Sequence, residues 1–307
     1  DSQGNIYVVL DEYGKDSSDP ENVKDVFTLF SYNKNGDENW NMVLGDGAKP
    51  EDMYYVNQLV IDHNDNIIIK SSTGIEVYGK DSKKISEMAL DEADNSGSLL
   101  LMKDNTLALI SYGDSNVSLK KIDLANNKAT DSQDFPFNSY NYSYFPSLTN
   151  DLLLTDSNGV YVYNDGDTVL TKIMDYVDSD IMSTSLYSIR QLDEKSFIGT
   201  YYDDETSKTL CAKFTKVDPS TIKDREVLTL GCNYLDTDVR KHIIAYNKEN
   251  SDYRIKVIDY SIYNTVDDYT VSQTKLNTDI ISGNMPDILL MNSDMPVNSY
   301  VSKKLFA

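Results

Sequence analysis

Short apolar runs separated by polar turns make up the first 220 residues of the chain. The runs are rich in Val, Ile, Leu, Tyr and Thr, and the turns between them are built from Asn, Asp and Gly. Runs of β-branched and aromatic residues bounded by such turn residues are typical of β-strands. The pattern therefore predicts an all-β domain over residues 1–220.

One unit recurs along this domain: a polar turn, an apolar strand, a second turn and an alternating strand. Its turn-to-strand junctions lie at Asn66, Asn105, Asp151 and Lys195, with separations of 39, 46 and 44 residues. Such spacings suit one four-stranded propeller blade per repeat. The stretch GNIYVVLDEY, with DVFTLFSYNKNGDENWNMVL after it, matches a fifth copy with an insertion at residues 14–21. We predict a β-propeller-like domain with about five visible blades, with a pair of β-sandwiches as the alternative.

From about residue 221 the pattern changes to an alternation of strands and helices. Strands are predicted at Val227–Tyr234, Arg254–Tyr260 and Asp287–Met291. Two amphipathic helices are predicted from apolar positions at helical spacing, which are Val239, Ile243, Tyr246, Tyr269, Leu276 and Ile280. This order begins a parallel, doubly wound sheet, in which right-handed crossovers place ligand loops at the carboxyl ends of the strands. Residues 221–307 are therefore predicted to form the first part of an α/β lobe.

Charge separates these two parts of the chain. The whole chain has a formal net charge of −22 and a sequence pI of about 4.3. Residues 1–220 carry 38 acidic and 18 basic side chains, whereas residues 221–307 carry 12 and 10. A protein with this much negative charge is repelled by nucleic acid phosphates and by an anionic membrane surface. We therefore expect no nucleic acid partner.

Residue types that carry chemistry are sparse. No apolar run is long enough to span a membrane, and the absence of an initial Met suggests a trimmed mature segment. Cys211 and Cys232 allow one disulfide, but their spacing matches neither a zinc site nor a redox pair, and two separate buried thiols are predicted. Only His63 and His242 are available for a triad or a metal site. We therefore expect no metal, no cofactor and no enzymatic activity.

The last quarter of the chain resembles a known family. The phrases VLTLGCNYLDTDVRKHIIAYNKENSDYRIKVIDYSIYN and LNTDIISGNMPDILLM resemble the beginning of sugar-type extracellular solute-binding proteins of ABC importers, the maltodextrin-binding kind included. The most specific match is a helix ending in Ser-Gly-Asn-x-Pro-Asp-Ile, which Ser282–Ile288 reproduce. The similarity covers residues 228–307. Members of this family have two lobes around a ligand cleft, and this chain supplies less than one lobe.

The resemblance implies an extracytoplasmic solute-binding component of an ABC transporter, with a membrane permease as partner. It also implies an extracellular, lipid-anchored protein whose propeller is an accessory domain. Amides and carboxylates after the three strands would bind the hydroxyl groups of a sugar or another small polar solute, and Tyr rings would stack on it. The implied ligand-binding residues are Asn233, Tyr234, Asp236, Ser261, Tyr263, Asn292, Ser293 and Asp294.

Ordinary structural roles remain open for each of these residues, and Asp236 also suits the N-cap of a helix. Two other functions remain open for the whole chain. The propeller can be a cell-surface interaction module without a role in transport. It can also be a glycosidase that uses paired carboxylates, although most Asp residues fall in predicted turns.

Overall fold

The computed structural model describes residues 1–13, 25–46, 54–113, 116–137, 139–182, 186–203, 207–264, 268–293 and 295–305. The chain divides into two compact units. The first comprises Asp1–Tyr140 with Thr149–Leu152, and the second comprises Asn141–Leu148 with Leu153–Ala307. The insertion predicted at residues 14–21 lies outside the described residues, and the domain boundary predicted at residue 220 stays a prediction.

Three antiparallel sheets follow one another in the first unit. The first sheet contains β1 (Ile6–Tyr13), β2 (Asp25–Tyr32) and β3 (Glu38–Asp46). The second contains β4 (Val56–Ile61), β5 (Ile67–Ser71), β6 (Gly74–Tyr78) and β7 (Lys84–Met88). A short helix α1 (Glu92–Asn95) leads to the third sheet, with β8 (Ser98–Leu101), β9 (Leu107–Tyr112), β10 (Val117–Asp123), β11 (Lys128–Ala129) and β12 (Gln133–Asp134).

Consecutive sheets of the first unit pack face to face. Successive side chains of a strand point to opposite faces of the sheet. Ile67 and Ile69 of β5 accordingly pack with Leu29 of the first sheet, whereas Ile68 packs with Leu109 of the third sheet. Both faces of β5 are therefore buried, which explains its uninterrupted apolar sequence.

Two further antiparallel sheets belong, except for Leu152, to the second unit. The fourth sheet contains β13 (Ser143–Pro146), β14 (Leu152–Thr155), β15 (Gly159–Tyr163) and β16 (Thr171–Asp175). The fifth contains β17 (Leu186–Asp193), β18 (Ser196–Asp203) and β19 (Lys208–Thr215). Val160 and Val162 of the fourth sheet pack with Ile189 and Phe197 of the fifth.

The remainder of the second unit is a small parallel sheet with helical connections. Its central strand β20 (Glu226–Cys232) lies between β21 (Tyr253–Asp259) and β22 (Ile288–Leu289), and it is parallel to both. Helices α2 (Thr237–Glu249) and α3 (Val271–Ile281) connect these strands, and α4 (Val297–Ser302) follows them. None of the helices in the described ranges has the length and apolar character needed to cross a membrane.

The repeat predicted from the sequence is confirmed. Asn66, Asn105, Asp151 and Lys195 each lie just before the second strand of a sheet, which is β5, β9, β14 or β18. The five successive antiparallel sheets are the blades of a five-bladed β-propeller, as predicted.

The α/β segment follows the predicted order of elements, with the first two strands within two residues of their predicted bounds and the third much shorter than predicted. The third strand covers Ile288–Leu289 rather than the predicted Asp287–Met291. Gly283 ends α3 with φ of 84°, a conformation that glycine adopts without strain. Gly231 lets Pro286 approach β20, because a Cβ atom there would lie 2.6 Å from the Pro286 ring. This small parallel sheet does not show that the segment is a lobe of a solute-binding protein.

Candidate functional site

A cavity of about 190 Å³ lies at the carboxyl end of β21 in the second unit. The loops that follow parallel strands meet at this edge of a sheet, which is where α/β folds bind ligands. The parallel segment contributes Leu235, Arg240, Val257, Asp259, Ile262 and Tyr263 to the lining. The fourth blade and the residues that follow it contribute Asn158, Lys172, Asp175 and Val177. Propeller and parallel segment therefore build this cavity together.

The turn between β14 and β15 is held in a fixed conformation by Asp156. Its Oδ1 accepts hydrogen bonds from the backbone N–H groups of Asn158 at 2.7 Å and Gly159 at 2.9 Å. Its Oδ2 accepts a hydrogen bond from the Tyr161 hydroxyl at 3.1 Å. Burial raises the pKa of Asp156, although these hydrogen bonds oppose the shift. This turn positions Asn158 against the parallel segment.

The side-chain amide of Asn158 bridges two charged residues of the parallel segment. Its Oδ1 accepts a hydrogen bond from Nη2 of Arg240 at 3.2 Å, and its Nδ2 donates to Oδ2 of Asp259 at 3.4 Å. Oδ1 of Asp259 accepts from the backbone N–H of Ser261 at 2.9 Å, which caps the 3-10 turn Tyr260–Tyr263. Both charges are therefore held at the end of β21 by groups that also shape the cavity wall.

Arg240 is the most unusual group of the lining. Only 2% of its surface is exposed, and neither Nε nor Nη1 hydrogen-bonds to a residue within the described ranges. Unpaired buried donors are rare because they lose their hydration without compensation. Burial and the Asp156 carboxylate raise the pKa of the Tyr176 hydroxyl, and the Arg240 guanidinium opposes this shift. The positive charge of Arg240 therefore influences the pKa of a neighbouring buried group in the second unit.

The same charge acts on Cys232 at the end of β20. Burial and the Asp259 carboxylate raise the pKa of the Cys232 thiol to about 12, and Arg240 opposes them.

Both cysteines are free, and Cys211 is exposed. The prediction of two buried thiols is therefore correct for Cys232 and wrong for Cys211, which lies on strand β19.

Two further interactions complete the wall of the cavity. Lys172 and Asp175 form an ion pair of 3.0 Å at its edge. Arg254 of β21 donates from Nη2 to the carbonyl oxygen of Val177 at 3.0 Å and to the carboxylate of Asp180 at 3.1 Å. Arg254 thereby holds the segment after β16, which supplies Val177 to the lining, against the parallel sheet.

Of the eight ligand-binding residues implied by the resemblance, Tyr263 lines this cavity. Asn233 has a buried Oδ1 without a hydrogen-bond partner in the described part of the chain. Tyr234 is largely exposed, and Asp236 caps α2 by accepting from the Asp238 backbone N–H at 2.8 Å. Ser261 uses its backbone N–H to cap the 3-10 turn.

The remaining residues of that set follow β22. Asn292 and Ser293 are outside the lining of the cavity, and Asp294 lies outside the described residues. Sequence reasoning missed Asn158, Arg240 and Asp259. The sequence does indicate that Arg240 is buried, because this residue lies one turn before Ile243 and Ile244 on the apolar face of α2.

No protein-family model matches the chain, and no curated protein matches it. Solved structures to which the chain is similar include a streptogramin B lyase, at 11% identity over 64% of this chain and 65% of that chain, with a TM-score of 0.37. Another is a luciferin-regenerating enzyme, at 9% identity over 70% and 88% of the two chains, with a TM-score of 0.43. A third is a catalytically inactive virginiamycin B lyase from Staphylococcus aureus with quinupristin, at 14% identity over 70% and 75%, with a TM-score of 0.39.

The prediction that the chain is not an enzyme is contradicted by this comparison, because lyases and a luciferin-regenerating enzyme are among the similar structures. At such low identities and TM-scores the likeness identifies neither a substrate nor a catalytic residue of this chain. The comparisons give no support to the resemblance between residues 228–307 and solute-binding proteins.

Proposed function

We propose that the protein binds a small polar solute in the cavity at the carboxyl end of β21. The observation that carries this proposal is the joint lining of the cavity by Asp259 and Tyr263 of the parallel segment and by Asn158 of the fourth blade. Convergent polar side chains in a concave site at strand ends are the usual arrangement of a ligand site in α/β folds.

The size of the cavity limits the solute. Drug-sized ligands occupy sites of roughly 300–1,000 Å³, whereas this cavity measures about 190 Å³. A single sugar ring or a short acid suits this volume, and an oligosaccharide does not. Val257, Leu235 and Ile262 supply apolar surface next to the polar groups, so the solute is expected to combine both characters.

Calorimetry of the full chain with neutral monosaccharides, short amides and short carboxylates tests the proposal. Ile262 lines the cavity and is 61% exposed, so Ile262→Trp narrows the cavity without disturbing the core. Ile281 is 86% exposed on α3, and Ile281→Trp is the matched control. We expect at least one solute to bind and only Ile262→Trp to weaken it by about tenfold or more. The absence of heat from the whole panel would refute the proposal.

The resemblance of residues 228–307 supports a wider proposal. According to this wider proposal, the protein is an extracellular, lipid-anchored component that delivers its solute to an ABC permease. The support consists of the Ser282–Ile288 phrase and of the strand and helix order around β20. Uptake of the radiolabelled solute by cells with and without the gene tests this role. Equal uptake by both strains would contradict it.

A second candidate function is recognition by the propeller itself. A groove of about 790 Å³ lies between the second and third blades of the first unit, and Ile68, Val77, Ile85 and Lys121 are part of its lining. Ile85 is 60% exposed, so Ile85→Trp obstructs this groove. A solute that is lost with Ile85→Trp and kept with Ile262→Trp would assign binding to the propeller.

A further inference from the structure

Arg240 holds its charge inside the second unit. Its side chain is 2% exposed, and Nη2 donates to the neutral amide of Asn158. Buried charges in proteins are normally paired, because desolvation of an ion is costly. Among the described residues Arg240 forms no ion pair and leaves Nε and Nη1 unpaired. An arginine that only anchored α2 to the fourth blade would not need these free donors.

The neighbouring carboxylates are already committed to other groups. Asp259 accepts hydrogen bonds from Asn158 and from the Ser261 backbone, and Asp156 accepts from the turn that it stabilises. Asp175 pairs with Lys172 at 3.0 Å. Since Arg240 lines the cavity, an anionic group bound there lies next to a guanidinium charge that no carboxylate of the described residues pairs with.

The chemistry of the guanidinium defines the class of that group. Arginine N–H groups are matched by the oxygens of carboxylates and phosphates, and such charge-assisted bonds are the strongest hydrogen bonds in proteins. The ionisable lining consists of Lys172, Arg240, Asp175 and Asp259, whose formal charges cancel. A carboxylate monoanion is compatible with this balance, whereas a phosphoryl dianion would add repulsion to a protein of net charge −22.

The geometry points to a short carboxylic acid as the solute of this cavity, with its carboxylate placed against the guanidinium of Arg240. The cavity volume of about 190 Å³ sets the length of this acid. The inference rests on the proposed solute-binding function and specifies the class of solute. Arg240 then determines which solute binds, and Asn158 orients the guanidinium through the hydrogen bond to Nη2.

Titration calorimetry with butyrate, butyramide and glucose on the full chain tests the inference. We expect butyrate, a monoanion at neutral pH, to bind at least tenfold more tightly than either neutral compound, because butyramide offers no anionic oxygens to Arg240. Arg240→Met should weaken butyrate binding by about tenfold to a hundredfold. Lys241→Met removes the same charge at the next position of α2, and it should leave the affinity unchanged.

Folding of each variant is checked by circular dichroism. If Arg240→Met does not fold, the comparison of butyrate with butyramide on the unaltered protein tests the inference. Equal affinities for butyrate, butyramide and glucose would overturn the carboxylate inference and leave the proposed function intact. The absence of binding to all three compounds, and to every other solute of the calorimetric panel, would remove both.

Discussion

Arg240 donates a hydrogen bond of 3.2 Å to the side chain of Asn158, which precedes it by 82 positions in the sequence. Asn158 belongs to the turn between β14 and β15, and Arg240 belongs to the first helix of the parallel segment. This contact joins a propeller blade to the α/β segment at the cavity. The site therefore exists only when both parts of the second unit are folded.

Removal of the Asn158 amide is expected to destabilise the second unit. Asn158→Ala leaves a further N–H group of the buried guanidinium without an acceptor, which costs about 1–3 kcal/mol of unfolding free energy. Asn64 lies exposed in the turn before β5, and Asn64→Ala is the control with an expected change within about 0.5 kcal/mol. Urea denaturation of both variants measures the difference. Equal unfolding free energies of the two variants would show that the hydrogen bonds of Asn158 do not stabilise the second unit.

Arg254 is expected to be the second attachment between the fourth blade and the parallel sheet. Arg254→Ala removes the donor to Val177 and Asp180 and should lower the unfolding free energy by about 1.5–3 kcal/mol, the usual range for hydrogen bonds of charged groups. Lys256 is exposed on the same strand, and Lys256→Ala is the matched control. A loss confined to Lys256→Ala, or no loss in either variant, would contradict this role of Arg254.

The pH dependence of stability should reveal the buried carboxyl group of Asp156. Its pKa is raised by burial, so the group favours folding in its protonated form. That contribution is complete below the ordinary value of 3.8 and is lost as the pH rises through the raised pKa. Asp156→Asn keeps an oxygen acceptor for the turn and cannot ionise. The variant should therefore gain stability over the natural sequence as the pH rises from about 3 to about 7.

Asp193, the last residue of β17, provides a control of opposite sign. The Ser196 hydroxyl and the Lys195 backbone N–H lower its pKa, so its contribution is present above 3.8 and is lost as the pH falls. Asp193→Asn should therefore lose stability relative to the natural sequence as the pH rises. Thermal unfolding at a series of pH values measures both differences. If the two variants respond to pH with the same sign, the environment assigned to Asp156 is wrong.

The two thiols should differ strongly in reactivity. Cys211 is exposed on β19, whereas Cys232 is buried with its pKa raised to about 12. The thiolate is the reactive form, so iodoacetamide at neutral pH should modify one cysteine in the folded protein and two after denaturation. Mass spectrometry of peptides identifies the modified residue. Rapid modification of Cys232 in the folded protein would contradict the core around β20.

The propeller could be predicted because its signal is local. Asn66 and Lys195 lie in turns directly before apolar strands, and each blade repeats the same order of turns and strands. The helices of the parallel segment were equally visible, since Ile243 of α2 and Leu276 of α3 follow helical spacing. Short strands such as Ile288–Leu289 were overestimated, because an apolar run does not show where hydrogen bonding to a neighbouring strand stops.

The site could not be predicted because it depends on contacts between distant segments. The sequence around Asn158 indicates a turn, but nothing in it specifies Arg240 as the partner of its side chain. Hydrophobic periodicity shows which face of a helix is buried and not which element covers that face. The residues implied by the resemblance that the structure describes do follow the three parallel strands. Tyr263 lines the cavity, whereas Asp236 is the N-cap of α2.

The most direct test of the account is the side-chain Nε–H resonance of Arg240 in a ¹⁵N-correlated NMR spectrum. The chain contains four arginines, so four such resonances are expected, and Arg240→Lys identifies the one that belongs to Arg240. Titration with butyrate should shift this resonance until it saturates and should leave those of Arg190, Arg225 and Arg254 nearly unchanged. If butyrate binds and the Arg240 resonance stays in place, the solute occupies another site and the account is wrong.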